Sequence, residues 1–264
     1  MLSPDQIHQY HEQGYVIPDY RLSDHTIEEI KIAHKRLIAK SPQFSDYCGA
    51  LLIEDLSFLN YARDQNILDM VSQLIGPDIA LWNSSFFAKP AKIGTRTPWH
   101  QDGEYWPITP LATCTVWIAL DDATISNGCL KFLPGSHKDK RLESHHLNNS
   151  DDIALPLELD HHHIDESKAE AIELEAGQIS LHDVFLMHAS EANRSNQPRR
   201  GMTLRYMPTS SVYRRDLNKS PQDTKRPVFL IRGIDQSGEN DFALRLSLIH
   251  ISEPTRPERI GDAR

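Results

Sequence analysis

The sequence predicts a mainly β protein with N-terminal helices, its strands rolled into a double-stranded β-helix, a jelly-roll barrel of cupin-like form. Three observations point there. Residues 1–76 carry apolar positions at helical spacing between capping signals. From Ile79 the texture changes to short runs rich in β-branched and aromatic residues. Turn pairs such as Asn127-Gly128 and Pro134-Gly135 separate those runs. Many short strands in one block suggest a jelly roll.

Each element has its own signal. Ser3-Pro4-Asp5 reads as a helix start, with Ser3 as cap and Pro4 in the first turn, and Gly14 as the stop. Val16-Ile17 is extended and closed by Pro18. Asp24 can cap a second helix whose inward stripe is Ile27, Ile30, Ile32, Ala33, Leu37 and Ile38. Asp64 can cap a third, with Ile67, Leu68, Val71 and Leu74-Ile75 inward and Gly76-Pro77 as its end. Strands are expected over 79–89, 113–121, 128–133, 178–182 and 202–207. One domain over 1–245 is expected, with a helical flank at 1–76 and a barrel at 77–210. Residues 138–170 are dominated by Asp, Glu, His, Asn and Ser, and read as an insertion loop between barrel strands. Its histidines, His145-His146 and His161-His162-His163, could bind metal, but a solvated loop is the expected state. From Leu246 the chain resembles the translation of a common sequencing adapter, so 246–264 is expected to be non-native.

Composition excludes some functions. A formal charge of −9 argues against a nucleic-acid binder. No apolar run is long enough for a membrane span, and the first residues lack the pattern of a secretory signal. Cys48, Cys114 and Cys129 are odd in number and far apart, which suits reduced thiols and a cytoplasmic location.

The chemistry concentrates in His100-Gln101-Asp102, His188 and Arg199. On a strand, residues two apart share a face, so His100 and Asp102 can hold one ion. Two imidazoles and a carboxylate form the facial triad of non-haem Fe(II), with positions left open opposite. His188 can come from a distant strand of the same barrel. Arg199, eleven residues later, supplies a fixed cation for a carboxylate co-substrate. His182 is a rival to His188, but only His188 has an Arg eleven residues on and a Ser two on. If 199–207 is a strand, Arg199, Gly201, Thr203 and Arg205 share the inward face, and Arg200, Met202, Leu204 and Tyr206 the outward one. Arg205 then serves either a substrate or an acid near the rim. Trp99, Tyr105 and Trp106 are either pocket wall or core. His137 is expected to stabilise a turn, and Lys138, Lys140 and Arg141 to form a solvated face or meet an anion.

Several segments together resemble the phytanoyl-CoA dioxygenase family of Fe(II)/2-oxoglutarate oxygenases. They are Trp99-His100-Gln101-Asp102-Gly103-Glu104-Tyr105-Trp106-Pro107, Cys114 to Leu120, Asn127 to Lys138, His188-Ala189-Ser190 and Pro198-Arg199-Arg200. The resemblance runs from about residue 5 to 207. It implies iron held by His100, Asp102 and His188, and 2-oxoglutarate held by Arg199 with Ser190 and Trp117. It implies hydroxylation of an sp3 carbon of a small molecule by O2, with release of succinate and CO2. Asp102 stands where halogenating relatives carry a small residue, which favours hydroxylation. The readings left beside this one are a metal cupin oxygenase that does not use 2-oxoglutarate and a silent barrel that binds a carboxylate metabolite.

Overall fold

The structure is a computed structural model and describes residues 1–217 and 224–243. The tail expected to be adapter-derived, 246–264, lies outside the described residues. Four α-helices precede the barrel: α1 (Pro4–Gln13), α2 (Asp24–Lys40), α3 (Leu51–Glu54) and α4 (Gln65–Ile75). The strands are β1 (Tyr15–Val16), β2 (Tyr47–Cys48), β3 (Ile79–Lys89), β4 (Thr97–His100), β5 (Ile108–Thr109), β6 (Cys114–Ala119), β7 (Leu130–Phe132) and β8 (His145–Leu147). They continue with β9 (Leu157–Leu159), β10 (Glu170–Ile172), β11 (Ile179–Asp183), β12 (His188–Ser190), β13 (Arg199–Pro208), β14 (Val212–Tyr213) and β15 (Phe229–Arg232).

The helices begin and end where local chemistry dictates. The Ser3 hydroxyl accepts from Gln6 N, the Gln6 side chain returns to Ser3 N, and Gly14 ends α1 at φ 87°. The cap of α2 is Ser23 rather than Asp24; its hydroxyl accepts from Thr26 N, and Asp24 becomes the acidic residue of the first turn. Ile27, Ile30, Ala33 and Leu37 are buried, but Ile32 is turned outward and exposed. His34 takes a place in the buried stripe and packs on Phe86 at 4.4 Å. Asp64 caps α4 by accepting from Ile67 N at 3.0 Å.

The barrel is two antiparallel sheets. The major sheet runs β1-β11-β6-β13-β3-β15, with β2 also paired to β3. The minor sheet runs β10-β7-β12-β4. One face of the major sheet carries Val116, Ile118, Leu181, Met202, Leu204 and Tyr206, which join the helices in the largest apolar cluster. Side chains from the opposite face and from the minor sheet enclose the inner cavity. This is the double-stranded β-helix expected from the sequence. The boundaries differ in three places: β1 and β2 from the helical flank join the barrel sheet, and β15 extends it beyond residue 210. The insertion at 138–170 is folded, with β8 and β9 paired as a hairpin and Leu159 fully buried. Among the described residues no helix is long and apolar enough to cross a membrane.

Candidate metal centre

His100 ends β4, and His188 begins β12 directly across from it in the minor sheet. The chain leaves the strand after His100, and Asp102 opens a short 3-10 turn. Gln101 remains extended at φ −112°, ψ 130°, so the alternation carries through and Asp102 turns to the same side as His100. The Gln101 amide donates to Arg141 O and Phe185 O, which fixes that turn from the other side. One ligand atom each from His100, Asp102 and His188 lies within 4.8 Å of the others, and all three residues are buried. His100 Nε2 is 3.7 Å and His188 Nε2 4.0 Å from Asp102 Oδ1.

The imidazoles are oriented as ligands need to be. His100 Nδ1 donates to Pro98 O at 2.8 Å and His188 Nδ1 to Leu186 O at 2.9 Å, which leaves each Nε2 bare and facing the carboxylate. Burial, with His100 alongside, holds His188 well below its ordinary value of 6.5, so its ring is neutral. Burial pushes the Asp102 carboxyl up. The Arg205 guanidinium and the three histidines around it outweigh burial and hold it well below the carboxylate range. Two imidazole Nε2 atoms and one carboxylate in a buried pocket fit a first-row divalent ion such as Fe(II).

His182 lies on β11 with Nε2 3.7 Å from Asp102 Oδ2, outside the converging group. Neither of its ring nitrogens has a hydrogen-bond partner among the described residues. Asp183 points elsewhere, to Lys140 at 2.6 Å.

Arg199 faces the same inner cavity and is 1% exposed. Its Nε donates to Gly128 O, Nη1 to Phe87 O and Nη2 to Ser190 Oγ, and its guanidinium lies 5.5 Å from the Trp117 ring. No carboxylate is within ion-pair range of it among the described residues. Burial pushes it down to about 10, so it stays charged. Gly201 is required beside it, because a Cβ there would lie 2.2 Å from Trp117 Cζ2. Arg200 faces outward and grips Asp121 with two bonds of 2.8 and 2.7 Å. Lys89, which sequence reasoning missed, is buried beside Arg199 and donates to Thr95 O and Glu191 O. Burial is the main cause that pushes it down to about 6.

The remaining candidates separate cleanly. Trp99 packs in a core cluster with Leu133, Leu159 and Met187. Trp106 and Tyr105 do line a second cavity beside Asp102. The Tyr105 hydroxyl donates to Leu157 O and accepts from Leu157 N, both at 3.1 Å, and so ties the insertion hairpin to the turn after His100. Lys138, Lys140 and Arg141 are each paired, to Glu12, Asp183 and Glu143. His137 Nε2 donates to His11 O at 3.1 Å and ties its turn to the end of α1. In the insertion, Asp160, His162 and His163 also bring ligand atoms within 4.8 Å of one another at the surface.

A family model described as phytanoyl-CoA dioxygenase matches residues 1–201. A phytanoyl-CoA dioxygenase domain-containing protein 1 homolog of Dictyostelium discoideum is 32% identical over 176 residues, 66% of this chain and 62% of that protein. The "Probable alpha-ketoglutarate-dependent hypophosphite dioxygenase" of Stutzerimonas stutzeri is 30% identical over 145 residues, 54% of this chain and 50% of that one. Among solved structures, the non-heme monooxygenase ThoJ superposes with a TM-score of 0.68 at 25% identity, covering 90% of this chain and 86% of ThoJ.

Proposed function

Because the chain belongs to the phytanoyl-CoA dioxygenase family, we propose that it is an Fe(II)- and 2-oxoglutarate-dependent oxygenase that hydroxylates an sp3 carbon of a small organic molecule. One observation carries the reading: the His100, Asp102 and His188 triad and the acid-free buried Arg199 line one cavity. The Stutzerimonas relative's name, with its 2-oxoglutarate dependence, agrees with it.

His100 and His188 would hold the iron through Nε2 and Asp102 through its carboxylate. Arg199 would pair with the far carboxylate of 2-oxoglutarate, helped by Ser190 Oγ, with the Trp117 ring as the wall. When bound, iron and 2-oxoglutarate supply the oxidation, R–H + O2 + 2-oxoglutarate giving R–OH + succinate + CO2. The protein's own contribution is placement and exclusion of water. The Pro98 and Leu186 carbonyls keep both imidazoles in the ligand tautomer. The Gln101 amide, bonded on both sides, holds the loop that carries Asp102. Tyr105, in the wall of the cavity beside Asp102, ties the insertion hairpin to this part of the barrel through Leu157.

Succinate release tests the proposal. The purified protein with Fe(II), O2 and 2-oxoglutarate is expected to form succinate slowly without substrate, and faster with one. Fe(II)-loaded protein that forms none across a broad panel of small molecules contradicts the proposal.

A further inference from the structure

Next to the metal centre lies a cavity of about 150 Å³ that shares Phe87, Asp102 and Arg205 with the inner one. Its wall is aromatic and cationic: Trp82, Trp106, Tyr105, Arg205 and Arg226. A β-bulge builds it. Arg205 on β13 pairs with Asn83, the next residue Tyr206 pairs with Leu81, and Trp82 is the unpaired residue between. Trp82 and Asn83 therefore both turn into the cavity.

Two buried donors there lack an acceptor. Arg205 is 4% exposed; Nη1 donates to Ser85 Oγ at 2.5 Å, but Nε has no hydrogen-bond partner among the described residues. Trp82 is 1% exposed, and its indole Nε1 likewise has none. A buried donor left without an acceptor is costly, and a buried charge more so. Asp102 is the one acid lining this cavity among the described residues. It forms no ion pair with Arg205 within 4.0 Å; its near neighbours are His100, His182 and His188. With Asp102 committed to the metal, Arg205 has no anion of its own. The guanidinium is instead stacked between Trp106 at 5.1 Å and Phe87 at 5.8 Å, which fixes its direction.

Resting on the oxygenase reading above, we propose that this cavity is the substrate subsite and that it selects a small organic anion. A carboxylate or phosphonate would accept from Arg205 Nε and Trp82 Nε1. Arg226, which donates to Gly49 O at 3.1 Å and lies 5.9 Å from the Trp82 ring, adds a second positive charge. The hydrocarbon part would lie against Trp106 and Tyr105, next to Asp102. The cavity is smaller than the roughly 300 Å³ at which drug-sized pockets begin, which restricts the guest to a short chain.

The probes are butanoate, hexanoate and propylphosphonate, against butanamide, hexanamide and hexanoyl-CoA, whose charges are remote from its acyl chain. Two readouts are followed: tryptophan fluorescence without iron, which reports Trp82 and Trp106, and succinate release with Fe(II) and 2-oxoglutarate. The acids are expected to change both, and the amides and the thioester neither. Arg205→Gln is expected to raise the acid concentration for half response by roughly 30-fold or more, with Arg205→Lys recovering part. Circular dichroism and an unchanged melting transition show that Arg205→Gln is folded, and Arg226→Gln, at a less buried site, gives a weaker shift in the same direction. Amides or hexanoyl-CoA matching the acids, or no response to any acid, overturns the proposal. Acids that change the fluorescence while no arm forms succinate would leave the anion subsite standing and sink the oxygenase reading instead.

Discussion

At the scale of single residues, strand alternation does most of the assigning. Arg199 and Arg200 are adjacent, yet one is buried by the inner cavity and the other pairs with Asp121 on the helix side. Arg199→Ala should therefore weaken 2-oxoglutarate binding by about 3 kcal/mol, roughly 100-fold in Kd, because a buried carboxylate loses its charged partner. Arg200→Ala should leave that Kd unchanged and cost no more than about 1 kcal/mol of stability, as expected for a partly exposed pair. Titration of both variants with 2-oxoglutarate decides it; the opposite ranking would invert the faces of β13. Gly201→Ala should cost about 1–3 kcal/mol in chemical denaturation, because the added methyl has to displace Trp117. These residues were legible because their spacing, two apart on strands, maps directly onto a face. His182, Lys89 and Arg226 were not assigned roles, since their importance comes from neighbours far away in sequence. Lys89 meets Glu191, and Arg226 meets Gly49. No local pattern encodes such meetings.

At the scale of elements, the caps of α1 and α4 and the long strands could be read, while the cap of α2 was off by one residue and most of the short strands could not be read. β3 and β13 are long enough to show alternation. β7 lies within the strand expected over 128–133, whereas β10 and β12, of three residues each, are too short for a period, and β12 carries His188. The hairpin in the insertion was hidden by its polar composition. Tyr105 holds it at Leu157, beside the contacts of Arg96 with Glu158 and of His145 with Gln101, so Tyr105→Phe should speed hydrogen exchange at the Leu157 amide and leave the helices unchanged. Equal exchange in the variant would show that the hairpin is held by other contacts. Helix α2 contributes a pH dependence. Burial pushes His34 down to about 4 from the ordinary 6.5. The unfolded chain then binds a proton that the folded one refuses. The stability is fully present above about 6.5 and is lost progressively as pH falls towards 4, by something on the order of 2–3 kcal/mol. Urea midpoints at neutral pH and at pH near 5 should diverge in the wild type and much less in His34→Leu. An unchanged divergence would assign the acid sensitivity to other groups.

At the scale of the whole molecule, two sheets divide the work. The major sheet turns one face to the helices and offers Arg199, Arg205 and Trp117 from the other; the minor sheet brings His100 and His188 side by side. The fold class could be read from the many short strands, but not the order in which they pair. That order depends on which distant strands meet, and it makes His188 a neighbour of His100 across 88 positions of chain. One cavity holds both the metal triad and Arg199, the residue proposed to bind the carboxylate of 2-oxoglutarate. Anaerobic visible spectroscopy tests it most directly. Adding 2-oxoglutarate to the Fe(II)-loaded protein should produce the weak charge-transfer band of a chelated oxoacid, absent from His188→Ala and retained by His182→Ala. No band from wild-type protein shown to contain Fe(II), or a band kept by His188→Ala and lost by His182→Ala, would contradict the claim.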